Sequence, residues 1–167
     1  MASKIMKYIT KSPKETQKLG HFLFNKISLT TEKNALVIAL EGELGAGKTT
    51  LTQGLAKILG IKVKVKSPTF TLMKKYWLPK SYKLKAKSYL YHLDCYRLRD
   101  HRDLLVLGIK DILNNKENII LIEWPERVKK ILPKGHIKIH IDHIDKHTRK
   151  ITIKMSALGG SASGGKK

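Results

Sequence analysis

The chain has 167 residues and a hydrophobic content of 41%, which fits one domain of ordinary size with a substantial core. Its 34 lysines and arginines against 13 acidic residues give a formal net charge of +21, so negatively charged partners are expected: nucleotide phosphates, nucleic acid or an acidic protein surface. The single cysteine, Cys95, excludes an intramolecular disulfide and a thiolate zinc cluster. The sequence contains neither an apolar run long enough to span a membrane nor a secretory signal pattern, so membrane and secreted proteins are excluded and the cytoplasm is the expected location.

Two helices and a buried strand are predicted in the first part of the chain. A Ser-Pro-Lys-Glu start signal, followed by apolar residues at helical spacing, predicts an amphipathic helix over residues 13–26. The short apolar run 35–40 is typical of a strand that is buried on both faces of a parallel sheet. A glycine-rich turn over residues 42–47 follows, and the apolar spacing then predicts a helix from Lys48 to a stop at Gly60.

The second part of the chain predicts strands and turns with one helix between them. In chain order, the expected elements are short strands within residues 63–72, a lysine-rich hairpin or loop over 75–91, a strand over 89–98, a helix over 100–114, a buried strand over 119–122 stopped by Pro125, and a half-exposed hairpin formed by 137–141 and 151–153.

The sequence over residues 42–49, GELGAGKT, matches the phosphate-loop (Walker A) pattern in full and lies between a predicted buried strand and a predicted helix, as the motif requires. Glycines allow the backbone N–H groups of residues 44–49 to turn toward phosphate oxygens, and the helix start adds its positive dipole end. Lys48 would reach the β- and γ-phosphates, and the Thr49 hydroxyl would ligate Mg²⁺. A glycine-rich turn with a solvated lysine is the alternative. The predicted nucleotide-binding residues are Leu44, Gly45, Ala46, Gly47, Lys48, Thr49 and Thr50.

A phosphate loop also needs an acidic residue on a neighbouring strand to hold the magnesium shell or to polarise water. Glu123 directly follows the apolar run 119–122, where a carboxylate would project at the carboxyl edge of a buried strand, so a functional role is favoured over a surface glutamate. Asp94 shares one side of its predicted strand with His92 and Tyr96. Spacing leaves two interpretations of Asp94 open: an acid that serves the site, or a structural residue that accepts hydrogen bonds, for which Arg97 and Arg99 are candidate partners.

The sequence does not carry a guanine-reading element. Such an element has the pattern Asn-Lys-x-Asp and follows a strand, whereas residues 115–118 read Asn-Lys-Glu-Asn and precede one. Adenine is therefore the expected base.

Five segments that occur in order resemble the TsaE (YjeE) family: GELGAGKTT, SPTFTL, YHLDCYRL, LGIKDIL and LIEWPER. Members of this family are bacterial P-loop ATPases of the machinery that makes threonylcarbamoyl-adenosine in tRNA. The resemblance extends from about Ser12 to Arg149, and the combination is specific where the phosphate loop alone would be generic. It implies an α/β, P-loop NTPase-like three-layer fold with a central, mostly parallel sheet, flanking helices and a C-terminal β-hairpin. We expect one P-loop ATPase domain over residues 1–155, with 156–167 a flexible tail or an expression remnant.

The resemblance also implies ligands, partners and roles for the site residues. ATP and Mg²⁺ are the implied ligands, and TsaB and TsaD are the implied partner proteins. Residues 44–49 would form the ATP loop, and Thr49 and Glu123 would be the magnesium positions. Asp94 would be an acid needed for hydrolysis, so the catalytic residues expected are Lys48, Asp94 and Glu123.

Further segments also resemble parts of the family, including parts that lie near the nucleotide. Ser67 and Thr69 resemble a switch-like loop whose hydroxyls could sense the γ-phosphate. Trp124 matches a tryptophan beside the acid, and packing and site roles are both open for it. The helix start near Pro13 and the turn near Arg149 correspond to further segments of this kind.

The expected function is that of a Mg²⁺-dependent ATPase subunit with weak activity alone, whose ATP cycle serves a partner complex. The sequence shows no convincing internal arginine finger; the unplaced candidates are Arg97, Arg99, Arg102 and Arg127. A P-loop small-molecule kinase and a non-hydrolysing, nucleotide-gated binding module are the alternatives. The lysine-rich segment 57–87 leaves direct contact with tRNA open, with a solvated surface slightly favoured, and the histidines between residues 136 and 147 are expected to face solvent.

Overall fold

The structure, a computed structural model, describes residues 4–26, 34–79 and 88–155. In chain order its elements are β1 (Lys4–Thr10), α1 (Pro13–Lys26), β2 (Leu36–Glu41), α2 (Lys48–Ile58), β3 (Met73–Leu78), β4 (Ser88–Asp94), α3 (Arg102–Val106), α4 (Ile109–Asn114), β5 (Ile119–Glu123), a 3-10 helix (Pro125–Ile131), β6 (Ile137–His143) and β7 (Arg149–Met155). Within the described ranges the strands form one seven-stranded sheet in the order β1-β7-β6-β2-β5-β4-β3.

The centre of the sheet is parallel and its margins are antiparallel. Strands β6, β2, β5 and β4 run in one direction, and β7 and β3 run in the opposite direction. Strand β1 pairs antiparallel with β7 and therefore runs in the same direction as the central strands. Strands β2 and β5 are buried along nearly their whole length because helices cover both faces there, which explains their unbroken apolar sequences. The predicted α/β fold, with its parallel centre, flanking helices and β6–β7 hairpin, is confirmed.

The parallel centre decides where the polar residues meet. Parallel strands end at the same edge of a sheet, so β4 and β5 bring Asp94 and Glu123 to one edge, where the two residues are direct neighbours in the strand register. Strand β2 ends at the same edge with Glu41, and the glycine-rich turn begins immediately after it.

Helices α1 and α2 pack against each other on one face of this sheet. The start of α1 follows the predicted capping signal, because the Glu15 N–H donates to Ser12 Oγ at 3.2 Å and the Lys11 N–H donates to the Glu15 carboxylate at 2.7 Å. The crossing point is formed by glycines: a Cβ placed on Gly20 would lie 2.6 Å from the Leu51 carbonyl oxygen. The predicted bounds of both helices are confirmed.

The helix predicted over residues 100–114 is wrong as one element, since α3 and α4 are separated at Gly108. This glycine has a φ of 72°, which is the left-handed conformation that ends helices. The break has a packing reason: Leu104 and Ile109 are both fully buried, although residues five apart in one continuous helix would point about 140° away from each other. The turn at Gly108 rotates α4 so that both side chains enter the core.

Two strand predictions also need correction. The strand predicted over 89–98 ends at Asp94, because the chain turns after Cys95, whose carbonyl accepts the Leu98 N–H at 3.0 Å. The strands predicted within 63–72 do not form; the segment contains a turn in which the Thr71 N–H donates to the Pro68 carbonyl at 2.8 Å. The first strand after this segment is β3, which pairs antiparallel with β4, as a hairpin over 75–91 requires.

Strand β1 was not predicted from the sequence. It lies at the margin of the sheet and pairs antiparallel with β7, with Met6, Tyr8 and Thr10 turned toward the covered face and the residues between them exposed. Residues 80–87, within the predicted lysine-rich segment, and the predicted tail 156–167 lie outside the described residues. Among the helices in the described part of the chain, none is long and apolar enough to cross a membrane.

Candidate functional site

The glycine-rich turn forms a tight loop at the carboxyl edge of β2. Gly42, Gly45 and Gly47 have φ values of 139°, 78° and 107°, which residues with a side chain rarely adopt. At Gly42 the neighbouring strand adds a second constraint, since a Cβ there would lie 2.5 Å from the carbonyl oxygen of Ile141. Helix α2 begins directly after the loop, so the unpaired N–H groups of its first turn face the same space.

Lys48 extends from the first position of α2 into this loop. Its Nζ donates to the carbonyl oxygens of Gly42 at 2.7 Å and Glu43 at 2.8 Å, and it lies 4.4 Å from the centre of the Trp124 ring. Burial lowers the pKa of Lys48, and the nearby carboxylates, Glu123 first among them, only partly oppose that shift. An ammonium group has three donors and two are used here, so one remains for an incoming anion.

Glu123 is buried at the end of β5 and is held by two side chains. The Thr49 hydroxyl, in the first turn of α2, donates to Glu123 Oε1 at 3.3 Å. His92 Nε2 lies 2.8 Å from the same oxygen, and the imidazole is fully buried. Thr49 and Glu123, which were expected to share a metal ion, are therefore in direct contact although they are 74 positions apart in the chain.

Asp94 is held by a different set of donors. Its Oδ2 accepts hydrogen bonds from Ser67 Oγ at 2.8 Å and Thr69 Oγ1 at 2.6 Å, and its Oδ1 accepts the Tyr96 N–H at 3.1 Å. Among the described residues, no arginine forms an ion pair with Asp94, and the Arg97 guanidinium lies instead 4.8 Å from the centre of the Phe70 ring. The hydrogen bonds to Asp94 are compatible with both a site role and a structural role. The switch-like segment and the acid form one hydrogen-bonded unit.

These groups surround a cleft of about 410 Å³ at the carboxyl edge of the sheet. Its lining comprises Leu44, Gly45, Gly47, Lys48, Thr49, Thr50, Ser67, Thr69, Asp94, Tyr96, Glu123 and Trp124. Of the residues predicted for the site, Ala46 alone does not line the cleft; its side chain packs in the core and its N–H donates to the Glu43 carbonyl at 3.2 Å. The other predicted residues converge on the cleft.

The donor chemistry of the cleft suits a phosphate chain with a divalent cation. Inward N–H groups and Lys48 offer donors to anionic oxygens, and a hydroxyl beside a carboxylate offers the oxygen ligands that Mg²⁺ prefers. Asp94 and Glu123 are both buried and adjacent, and two neighbouring buried carboxylates need positive charge close by. Lys48 supplies part of that charge, so the residues present fit Mg²⁺.

Cys95, next to Asp94, is a buried packing residue, as predicted. Its thiol is fully covered, and burial together with the carboxylates of Asp94, Glu126 and Glu123 raises its pKa to about 12. The thiol is therefore uncharged at neutral pH and adds no reactive group to the cleft.

Sequence reasoning gave no role to His92, which contacts Glu123. The spacing in the sequence could have indicated a role, because His92 and Asp94 are two positions apart on one strand and therefore share a face that ends at the cleft. Arg149, which the resemblance had indicated only as part of a segment, donates from Nε to the Ala46 carbonyl at 2.9 Å and so braces the glycine-rich loop from the start of β7.

Several other predicted features lie away from the cleft. Residues 115–118 form the turn before β5, at the sheet edge opposite Glu123, which is inconsistent with a base-reading loop. His140 is half-exposed and contacts Glu41 and Asp142, and the described residues contain no group of three or more histidine, cysteine or acidic side chains arranged for a metal ion. None of the four arginines considered as fingers is among the residues that line the cleft.

Comparisons with known proteins agree on one family. Residues 10–151 match the family model described as Threonylcarbamoyl adenosine biosynthesis protein TsaE. The chain is 44% identical over 119 residues to the tRNA threonylcarbamoyladenosine biosynthesis protein TsaE of Haemophilus influenzae, covering 71% of this chain and 70% of that one. It is 36% identical over 153 residues to the protein of the same name from Bacillus subtilis, covering 90% and 85%.

A solved structure is also similar. The crystal structure of YdiB from Bacillus subtilis superposes with a TM-score of 0.70 at 31% sequence identity, covering 95% of this chain and 89% of that one. The order of the matching segments, the seven-stranded α/β sheet and the family model all agree. This chain therefore belongs to the TsaE family of tRNA threonylcarbamoyladenosine biosynthesis proteins.

Proposed function

We propose that this chain is a Mg²⁺-dependent, ATP-binding and ATP-hydrolysing subunit that is required for threonylcarbamoyl modification of adenosine in tRNA and acts with TsaB and TsaD. The observation that carries the proposal is the meeting of a phosphate loop and two buried carboxylates at one cleft. Family membership supplies the pathway, and the cleft supplies the chemistry.

The phosphate chain of ATP would lie against the loop. The N–H groups of residues 44–49 and the start of α2 would donate to its oxygens, with Lys48 directed at the β- and γ-phosphates. Thr49 and Glu123 would hold Mg²⁺ directly or through water, and Mg²⁺, when bound, neutralises charge on phosphate oxygens.

Asp94 would orient the water that attacks the γ-phosphate. Its carboxylate is fixed by Ser67, Thr69 and the Tyr96 N–H, so a bound water would find the acceptor in one defined direction. Because Ser67 and Thr69 are held by Asp94, a change at the γ-phosphate would reach the switch-like segment through these two short hydrogen bonds. This arrangement favours a role for the hydroxyls in distinguishing the triphosphate state.

Weak activity of the isolated chain follows from the charges around the cleft. Among the residues that line it, Lys48 is the only cation, and no arginine is placed to stabilise charge on the transferred phosphoryl group. A partner that contributes such a group would raise turnover, and TsaB and TsaD are the proposed partners. Cytoplasmic location and direct contact with tRNA stay predictions; tRNA contact would appear as binding that weakens steeply with salt.

Phosphate release, measured with and without TsaB, TsaD and Mg²⁺, tests the proposal. Asp94→Asn should reduce release by about 100-fold or more while ATP binding is retained, because the change keeps the volume but removes the negative charge and replaces one acceptor oxygen by an NH₂ donor. Asp103→Asn, an exposed acid in the first turn of α3, is the matched control and should behave like the wild type.

Three outcomes would contradict the proposal in different ways. Release within threefold of wild type in Asp94→Asn would remove Asp94 from the catalytic residues. Transfer of the phosphoryl group to a small molecule instead of water would identify a kinase. Partner binding that depends on ATP without any turnover would identify a nucleotide-gated binding module.

A further inference from the structure

His92 is an unusual residue for its position. It lies on the face of β4 that is covered by α1 and α2, two positions after Leu90, and both side chains are fully buried. An apolar side chain such as that of Leu90 can pack at a buried position of this kind without needing a hydrogen-bond partner. Histidine brings two ring nitrogens into the core, and each needs a hydrogen-bond partner.

Only one of the two nitrogens is paired. Nε2 lies 2.8 Å from Glu123 Oε1, whereas Nδ1 is a buried atom with no hydrogen-bond partner among the described residues. A carboxylate only accepts hydrogen bonds, so the proton of a neutral imidazole lies on Nε2 and the bare Nδ1 remains unpaired. The protein thus keeps an unsatisfied buried nitrogen, which is unfavourable, in order to present one N–H to Glu123.

The position of that N–H matters for the carboxylate. His92 Nε2 and the Thr49 hydroxyl both bond to Oε1, so Oε2 takes part in neither contact. Two donors on one oxygen define the rotation of the carboxylate about its last bond. Without His92, the remaining bond from Thr49 is long, at 3.3 Å, and the neighbouring Asp94 carboxylate would repel Glu123.

We propose that His92 is a positioning residue: its Nε2–H fixes the Glu123 carboxylate so that one oxygen faces Thr49 and the other is free for the magnesium shell. The proposal rests on the proposed function, because it assigns a role in Mg²⁺-dependent nucleotide binding. His92 itself touches neither metal nor nucleotide in this assignment. Its effect should appear in the Mg²⁺-dependent part of nucleotide affinity and leave the Mg²⁺-independent part unchanged.

The test compares binding of a non-hydrolysable ATP analogue to the full chain in Mg²⁺ and in EDTA. In wild type, Mg²⁺ should increase the affinity; His92→Leu should lose about 10- to 100-fold of that increase, with binding in EDTA nearly unchanged. His92→Gln, whose side-chain amide is as many bonds from the backbone as Nε2, should retain most of it. Leu90→Ala is the matched control: it should lower the melting temperature and leave the effect of Mg²⁺ intact.

The outcomes separate this proposal from the proposed function. If wild type gains affinity from Mg²⁺ and His92→Leu gains equally, the positioning role is wrong and the ATP site stands. If wild type does not bind the analogue at all, both proposals are wrong.

A second measurement locates the His92 proton directly in the wild-type protein. In wild type labelled with nitrogen-15 at histidine, long-range nitrogen–proton NMR correlations identify which ring nitrogen carries the proton. The His92→Gln spectrum assigns the signal by its disappearance. A proton on Nε2 supports the proposal, and a proton on Nδ1 with a bare Nε2 overturns it.

Discussion

Replacing Gly54 with alanine tests the packing of α2, the helix that follows the glycine-rich loop. Gly54 is buried in α2, where it contacts α1, and a Cβ there would lie 2.1 Å from the Gln17 carbonyl oxygen and 2.8 Å from its carbonyl carbon. Two effects oppose each other. Alanine is the better helix former by about 1 kcal/mol, whereas forcing an extra carbon into a packed interior costs about 1–3 kcal/mol.

The distances decide which effect is larger. Carbon and oxygen atoms normally stay more than 3 Å apart, so the overlap at 2.1 Å involves backbone that cannot rotate away, and the two helices must separate. The cost therefore lies at the upper end of the range, and the net loss should be about 2 kcal/mol in the free energy of unfolding. For a chain of this length that loss corresponds to a decrease of about 4–8 °C in melting temperature.

Thermal unfolding followed by circular dichroism measures this change. Lys57→Ala, at an exposed position of the same helix, controls for altered helix propensity without a clash and should change the melting temperature little. A melting temperature of Gly54→Ala equal to or above that of wild type would show that the α1–α2 contact is looser than the structure has it. The reasoning from Cβ distances would then be refuted.

Two further predictions concern the cleft. Lys48→Met should weaken ATP binding by about 10- to 100-fold, because the change removes a charge-assisted donor to the phosphates. The fluorescence of Trp124, whose ring centre lies 4.4 Å from Lys48 Nζ, is a suitable probe of binding. An affinity equal to that of a Lys57→Met control would contradict the proposed contact between Lys48 and phosphate. The pKa of the Cys95 thiol is raised to about 12, so at mildly alkaline pH its thiolate fraction is smaller than that of an ordinary cysteine. A thiol reagent at that pH should therefore label only protein that has been unfolded by denaturant. Rapid stoichiometric labelling of the native protein would show that the Cys95 thiol is accessible.

Most of the helices and strands, and the glycine-rich loop between β2 and α2, could be predicted from the sequence because their causes are local. The loop needs glycines at positive φ and a helix start within eight positions, and both are visible in residues 42–49. Strands β2 and β5 are short apolar runs because they are buried on both faces. Local patterns failed at Gly108, where the requirement to bury both Leu104 and Ile109 breaks the helix, and this requirement comes from the rest of the core.

Some residues of the candidate site could be predicted from the sequence, and others became evident only from tertiary contacts. The residue types and the resemblance to the TsaE family predicted Lys48, Thr49, Asp94 and Glu123 as site residues, since each belongs to a recognisable segment. Spacing alone left Asp94 undecided between two roles. It also gave no reason to single out His92, because a histidine in an alternating strand is unremarkable until its neighbour is known.

The Walker A pattern and the family resemblance could be read from the amino-acid sequence alone, because both depend on residues that are adjacent in the chain. The donors that hold each acid follow from the folded chain: Glu123 contacts a histidine 31 positions away, and Asp94 contacts hydroxyls 25 and 27 positions away. The order and direction of β2, β5 and β4 bring these distant residues together at one edge of the sheet. Strand order depends on the burial of the whole sheet, so it cannot be predicted from the local periodicity of apolar residues.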